Sequence, residues 1–358
     1  MKIDEFLARM PKVELHLHME GAIPPDLLFA LAERNRINLP FVSPEQLATR
    51  LSYGTFKDFV NMILMFANCM RQPRDFADVV YRIGTGMSRQ NIRYAEITWT
   101  PQMYLGLDIS LQDILEALND GRRRALSEMG TEICWIPDLV RCFPETAEEI
   151  VDWLCSDAAR DRGIVALGLG GPEDGYPAAP FAAAFDRARA AGLASNPHAG
   201  ENAGPASVRE AVQLLQARRI GHGVRAVEDP RLLDTLAERG IALEVCPTSN
   251  VRLGVCPSYA DHPLRRLVDA GCTVTINSDD PVLFGTTLTD EYRHAVVDCG
   301  LTIAEVEQTV LNAVTASYLS AEEKQAMRQS FLAEFARLKG EGGGPGRHPS
   351  TTPGKGTL

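Results

Sequence analysis

The sequence predicts an α/β protein built as a (β/α)8 TIM barrel, with a helical lid inserted after the first strand. Two observations predict it. Short apolar runs of strand length alternate with helix-period segments eight times along the chain, which calls for a parallel sheet. Residues of ligand type then collect at the C-terminal ends of those runs, where a barrel of this kind builds its active site. A doubly wound open sheet shares the first property and is the competing architecture.

Val13–His18 is the first strand; Pro24-Pro25 and a helix over Asp26–Asn35 follow. Residues 41–70 are an insertion in which Phe56, Phe59, Met62, Ile63, Met65 and Phe66 recur at helical spacing, as core or as a lid over a pocket. A helix over Asp75–Gln90 feeds strand Arg93–Thr98, and Leu111–Met129 feeds strand Glu132–Pro137. Glu145–Ala159 reads as a helix before strand Ile164–Leu169, which Gly170-Gly171-Pro172 closes. Phe181–Ala191, Ser207–Gln216 and Arg231–Arg239 are helices leading to strands Leu193–His198, Arg219–His222 and Ile241–Cys246. Pro263–Ala270, with proline at its first helical position, precedes the eighth strand, Cys272–Asn277. Helices over Leu288–Asp298, Ile303–Ala316 and Ala321–Lys339 end the pattern. Residues 1–339 are expected to form one domain and 340–358, rich in Gly, Pro, Ser and Thr, a disordered tail.

Composition narrows the function. At 45% hydrophobic and 23% charged, the chain of 358 residues is an ordinary globular protein. A net charge of −11 and the lack of a basic stripe argue against a nucleic-acid partner. No apolar run approaches the ~18 residues of a membrane span, and the N-terminus carries no secretory signal. The eight cysteines form no Cys-x-x-Cys pair. Reduced thiols in a cytoplasmic protein are the expectation.

Chemistry gathers at the strand ends. His16 and His18 alternate along one strand, so both rings face one side and could share a metal ion. His198 ends the fifth strand, His222 the sixth, and Asp279-Asp280 the eighth. Any one of these alone is an ordinary turn residue; their joint placement is not. Three imidazoles and a carboxylate suit Zn²⁺ with a position left for water, whose pKa the ion would lower. Glu201, three residues past His198, is a separate acid/base candidate. His222 could ligate the ion or hold the attacking oxygen, and Asp279 and Asp280 could divide proton acceptance and substrate binding.

Glu14-Leu15-His16-Leu17-His18, His198-Ala199-Gly200-Glu201, Gly221-His222-Gly223 and Ser278-Asp279-Asp280-Pro281 together resemble the motifs of the adenosine deaminase family, in its order, across about residues 10–300. The resemblance implies one Zn²⁺ per chain, held by His16, His18, His198 and Asp279, and hydrolytic deamination at purine C6. It further implies Glu201 as proton donor to N1, His222 and Asp279 acting on the attacking oxygen, Asp280 at N7 and the Gly171 backbone at N3, with His18 also lining the substrate. Glu20 stands where animal-type members have Asp, which puts the 5′-hydroxyl contact in doubt. The substrate implied is a small purine: adenosine or a 5′-modified adenosine. The alternatives are aminodeoxyfutalosine of menaquinone biosynthesis, or free adenine; more distantly, a non-catalytic zinc-binding protein. Arg71, Arg141 and Arg252 are candidate anchors for an acidic 5′ group, with surface ion pairing the plainer expectation for each.

Overall fold

Eight parallel strands pair in chain order: β1 (Lys12–His18), β2 (Ile92–Trp99), β3 (Glu132–Val140), β4 (Ala166–Gly170), β5 (Ala194–Ala199), β6 (Arg219–His222), β7 (Ala242–Val245) and β8 (Val274–Ile276). The structure is a computed structural model and describes residues 2–342 other than 52, 54 and 161. Helices flank the sheet as expected. The first strand shows why the chain folds this way: Val13, Leu15 and Leu17 are buried on one face, and Lys12, Glu14, His16 and His18 alternate with them on the other. The apolar set meets the helices, and the polar set lines the barrel interior.

The ring closes between β8 and β1 with little backbone pairing. One parallel bridge joins Leu17 to Asp279, made by His18 N donating to Asp279 O (2.8 Å) and Asp279 N to His16 O (2.9 Å). Below it, side chains replace the ladder. Leu15 N donates to Asn277 Oδ1 (2.9 Å), and the Glu14 carboxylate accepts from Ser278 N (3.1 Å) and Ser278 Oγ (2.9 Å).

Several boundaries differ from expectation. β3 runs to Val140, past Pro137, because Asp138, Leu139 and Val140 find partners in Gly168, Leu169 and Gly170. Ile164 makes only an isolated bridge to Trp135, so β4 starts later. The helix expected over Glu145–Ala159 is Ala147–Leu154, entered through a 3-10 turn at Pro144–Thr146. Pro263 caps helix Leu264–Asp269 rather than opening it. The insertion forms two helices, Pro44–Arg50 and Phe56–Ala67. The last helix continues to Gly342, so 340–342 are helical, and the remaining tail, 343–358, lies outside the described residues. Among the described residues, no helix is long and apolar enough to cross a membrane.

Burying polar groups inside a barrel is costly unless each finds a partner. Arg219 sits between two carboxylates, with Nη2 2.5 Å from Glu96 Oε2 and Nε 2.5 Å from Glu244 Oε1, and its guanidinium stacks on Tyr318. Lys12 is fully buried, and Nζ donates to Met10 O (3.0 Å) and Gln90 O (2.8 Å). Burial pushes its ammonium down to about 7, against 10.5 in the open chain. Between those values the unfolded chain holds a proton that the folded chain has released, so folding is favoured as pH rises through the window. Compared with Lys12→Met in urea melts, the wild type should gain about 1.4 kcal/mol per pH unit from pH 7 to 10. A difference that stays flat with pH refutes a neutral Lys12.

Candidate active site

His16 and His18 leave β1 side by side on the interior face, His198 comes from β5, and Asp279 stands on the turn after β8. His18 Nε2 and His198 Nε2 are 3.1 Å apart, and Asp279 Oδ1 is 3.4 Å from His18 Nε2 and 3.5 Å from His16 Nε2. Ligands bound at ~2.0–2.1 Å around a tetrahedral zinc ion lie roughly 3.3 Å from one another. The spacing therefore fits a zinc-sized ion. His16 Nε2 points the same way: it is buried without a hydrogen-bond partner. Burial pushes His18 down to about 4 and His198 well below its ordinary value, leaving both as the neutral imidazoles that ligate metal. Gly221 makes room for the rings; a Cβ there would stand 2.7 Å from His16 Cε1 and 3.1 Å from His198 Cγ.

The supporting groups were not singled out from sequence. Glu244 Oε2 is 2.9 Å from His16 Nδ1 and also takes Asn196 Nδ2 (3.2 Å), while its other oxygen meets Arg219. That carboxylate fixes the proton of His16 on Nδ1 and turns the Nε2 lone pair to the cluster. Arg141 is buried, its Nη2 donating to His198 O (2.8 Å) and Nη1 to Tyr176 O (2.9 Å). It is neither a surface ion pair nor a cavity-lining cation. Arg252 likewise donates to Leu51 O and Arg71 to Asn68, and no Lys or Arg lines the cavity among the described residues.

His222 belongs to a chain of hydrogen bonds that decides its tautomer. Leu264 N donates to His262 Nδ1 (3.0 Å), so the His262 proton is on Nε2 and is given to Asn250 Oδ1 (3.0 Å). Asn250 Nδ2 then faces His222 Nδ1 at 3.2 Å as donor. The proton of His222 is thereby placed on Nε2, 3.8 Å from both Glu201 Oε1 and Asp279 Oδ2. Although His222 is close enough to join His16 and His198 in a triad, an Nε2–H donates a hydrogen bond and does not ligate. Of the two roles open in sequence, this one favours holding the attacking oxygen. Both His222 (φ 60°) and Asp279 (φ 62°) occupy the left-handed region, a backbone cost on the order of 1 kcal/mol each that clusters at functional sites.

Glu201 is presented by a loop that Glu173 clamps. The Glu173 carboxylate accepts from Gly200 N (2.7 Å), Glu201 N (2.9 Å) and Asn202 N (3.0 Å), and from Ser207 Oγ. Burial first, then the charges of Asp279 and Glu173, push the Glu201 carboxyl well above the usual range and keep it protonated. The aspartate pair splits. Burial and its neighbour push Asp280 well up, whereas the proximity of His16 and the surrounding imidazoles overcomes burial to hold Asp279 down. Asp280 Oδ1 has no partner, and a Cβ on Gly21 would land 1.7 Å from it.

These groups floor a cavity of about 350 Å³. Phe56, Phe59, Val60 and Ile63 of the insertion helix line it, with Met103, Val140 and Phe143 opposite; Met62 does not, and Phe66 is core. Gly171 lines it at φ 89°, so the backbone conformation as well as close approach asks for glycine. Glu20 reaches the cavity too, but its Oε1 is taken by Tyr104 OH (2.8 Å) and Thr100 N (3.2 Å).

If Glu244 sets His16, then Glu244→Gln lowers zinc affinity about 10–100-fold in chelator competition, with the fold retained by circular dichroism. Unchanged affinity removes that role.

The chain matches the family model described as adenosine deaminase over residues 11–333. It is 40% identical over 320 residues to the aminodeoxyfutalosine deaminase of Streptomyces avermitilis, covering 89% of each chain. It is 36% identical over 328 residues to the adenine deaminase of Rhodospirillum rubrum, covering 92% of this chain and 98% of the relative. An amidohydrolase from Burkholderia ambifaria with bound Zn superposes at a TM-score of 0.88 and 29% identity, over 95% of this chain and 96% of that one. With eight strands in order and a histidine-rich cluster at their C-terminal ends, the chain belongs to the adenosine deaminase family of metal-dependent hydrolytic deaminases.

Proposed function

We propose that this chain is a zinc-dependent deaminase of an N9-substituted 6-aminopurine, with aminodeoxyfutalosine as its first candidate substrate. The cavity carries the reading. A space of about 350 Å³ is of the size that encloses a drug-like molecule, and a bare purine fills only its inner end. The wall beyond is apolar, formed by Phe56, Phe59, Ile63, Met103 and Phe143, and suits an aromatic extension better than a polar one. The name borne by the relative from Streptomyces avermitilis supports the same choice. Free adenine is the second reading, supported by the name of the relative from Rhodospirillum rubrum and by Glu20, whose engaged oxygen is a poor receiver for a 5′-hydroxyl. Neither support favours plain adenosine.

His16, His18, His198 and Asp279 would hold one zinc ion, which would polarise the attacking water and lower its pKa. The protein does the rest. Protonated Glu201 donates to ring N1, which makes C6 electrophilic. His222 Nε2–H holds the water oxygen against C6, and Asp279 accepts its proton. Protonated Asp280 donates to N7, and Gly171 N–H donates to N3. The proton taken by Asp279 passes to the departing amino group and ammonia leaves, while the proton remaining on the new C6 hydroxyl returns to the Glu201 carboxylate as the 6-oxopurine forms. Helix Phe56–Ala67 lines the cavity with Phe56, Phe59, Val60 and Ile63, apolar groups that would keep water out and so strengthen each polar contact.

A spectrophotometric panel of aminodeoxyfutalosine, adenine and adenosine on zinc-loaded protein tests the order. Faster turnover of adenine than of aminodeoxyfutalosine reverses the two readings, and no turnover of any purine leaves a zinc-binding protein without this activity. Glu201→Gln should cut kcat by about 10²–10⁴-fold with zinc content unchanged; a near-wild-type kcat refutes Glu201 as the acid.

A further inference from the structure

Asp138, two residues before the end of β3, lines the cavity at 2% exposure, and its Oδ1 has no hydrogen-bond partner. A buried polar atom left so is costly, and a ligand is one way to satisfy it. The neighbouring strand is cut back to make room for this side chain. Gly168 pairs with Asp138 in register, and a Cβ there would fall 1.7 Å from Asp138 Oδ1; a Cβ on Gly170 would fall 2.7 Å from Oδ2. Two glycines on β4 thus form a slot over which the carboxyl lies.

The purine pose says what this carboxyl faces. N1 lies against Glu201 after β5, N3 against Gly171 after β4, and N7 against Asp280 after β8. Around a purine, N9 falls between N3 and N7 on the side away from N1, so its substituent faces β1, β2 and β3. The polar cavity groups of that wall are Glu20, Thr100, Gln102 and Asp138. Glu20 Oε1 is engaged by Tyr104 and Thr100; Gln102 Oε1 also lacks a partner, but the residue as a whole is only half-buried. Asp138 is the deeply buried group that still lacks a partner.

We propose that Asp138 determines specificity by binding a ribose hydroxyl of an N9-glycosylated 6-aminopurine, its carboxyl seated in the room that Gly168 and Gly170 leave for it. The proposal rests on the purine pose of the preceding section. Burial pushes the carboxyl well above its usual range, so that it can donate as well as accept. A hydroxyl offers both partners at once.

The test measures kcat/KM for adenosine, 2′-deoxyadenosine and 3′-deoxyadenosine on zinc-loaded wild type, Asp138→Ala, Asp138→Asn and Gln102→Ala, with adenine as a fourth substrate. The wild type should disfavour one deoxy nucleoside by about tenfold or more, as expected when a site's buried polar group goes unpaired. Asp138→Ala should reduce that preference to within about twofold, Asp138→Asn should restore part of it, and Gln102→Ala should keep it. Gly170→Ala, which crowds the carboxyl from β4, should weaken the same preference and stands in if Asp138→Ala does not fold. The proposal is overturned if the wild type shows no hydroxyl preference, if the preference survives Asp138→Ala, or if Gln102→Ala abolishes it instead. Turnover of adenine without any nucleoside also overturns it while leaving the deaminase assignment intact. Where aminodeoxyfutalosine alone is turned over, its kcat/KM should fall about tenfold in Asp138→Ala, and an unchanged value overturns the proposal; inactivity on it and on every other purine removes both.

Discussion

The site depends on one carboxylate, that of Glu244. One of its oxygens neutralises the buried Arg219 guanidinium, and the other fixes the proton of His16. A charge of either sign inside a barrel needs a compensating charge at hydrogen-bond distance. Here the compensation runs in a line from Glu96 through Arg219 and Glu244 to His16. Fold and chemistry therefore share an electrostatic spine. The polar interior that a stable barrel would avoid is the same interior that turns His16 Nε2 toward Asp279 and the other histidines.

The seam between β8 and β1 makes a second link of this kind. Its bridge uses the backbone of Asp279, the residue whose side chain faces His16 and His18. A left-handed backbone at Asp279 lets one residue join two strands and turn its carboxylate inward. The proposed ion, held by His16, His18, His198 and Asp279, would tie β1, β5 and β8 together across the weakest pairing in the ring.

The sequence made much of this legible, because strand alternation and strand ends leave plain marks. His16 and His18 fall two apart in an apolar run, and their common face follows from the pleat. His198, His222 and Asp279 end strands, so a barrel had to bring them together. What stayed hidden depends on contacts between residues distant in the chain. Glu244 lies 228 positions from His16. Glu173 acts through backbone amides of a loop whose sequence gives no sign of its partner. Arg141 looked like a surface cation because arginines are mostly exposed, but a carbonyl at the end of β5 draws it inward. The unexpected end of β3 belongs here too: strand β4 supplies register partners for Asp138 and Val140 that a local reading does not see.

The glycines of β4 limit how this pocket can change. Any side chain at Gly168 meets Asp138 at 1.7 Å, and any at Gly170 meets it at 2.7 Å. A lineage that acquired serine at either position while keeping the aspartate would pass through an overpacked, destabilised intermediate. The replacement of Asp138 has to come first or at the same time. Two neighbouring strands thus couple these positions: a side chain on β4 at 168 or 170 goes with a smaller or displaced residue at 138.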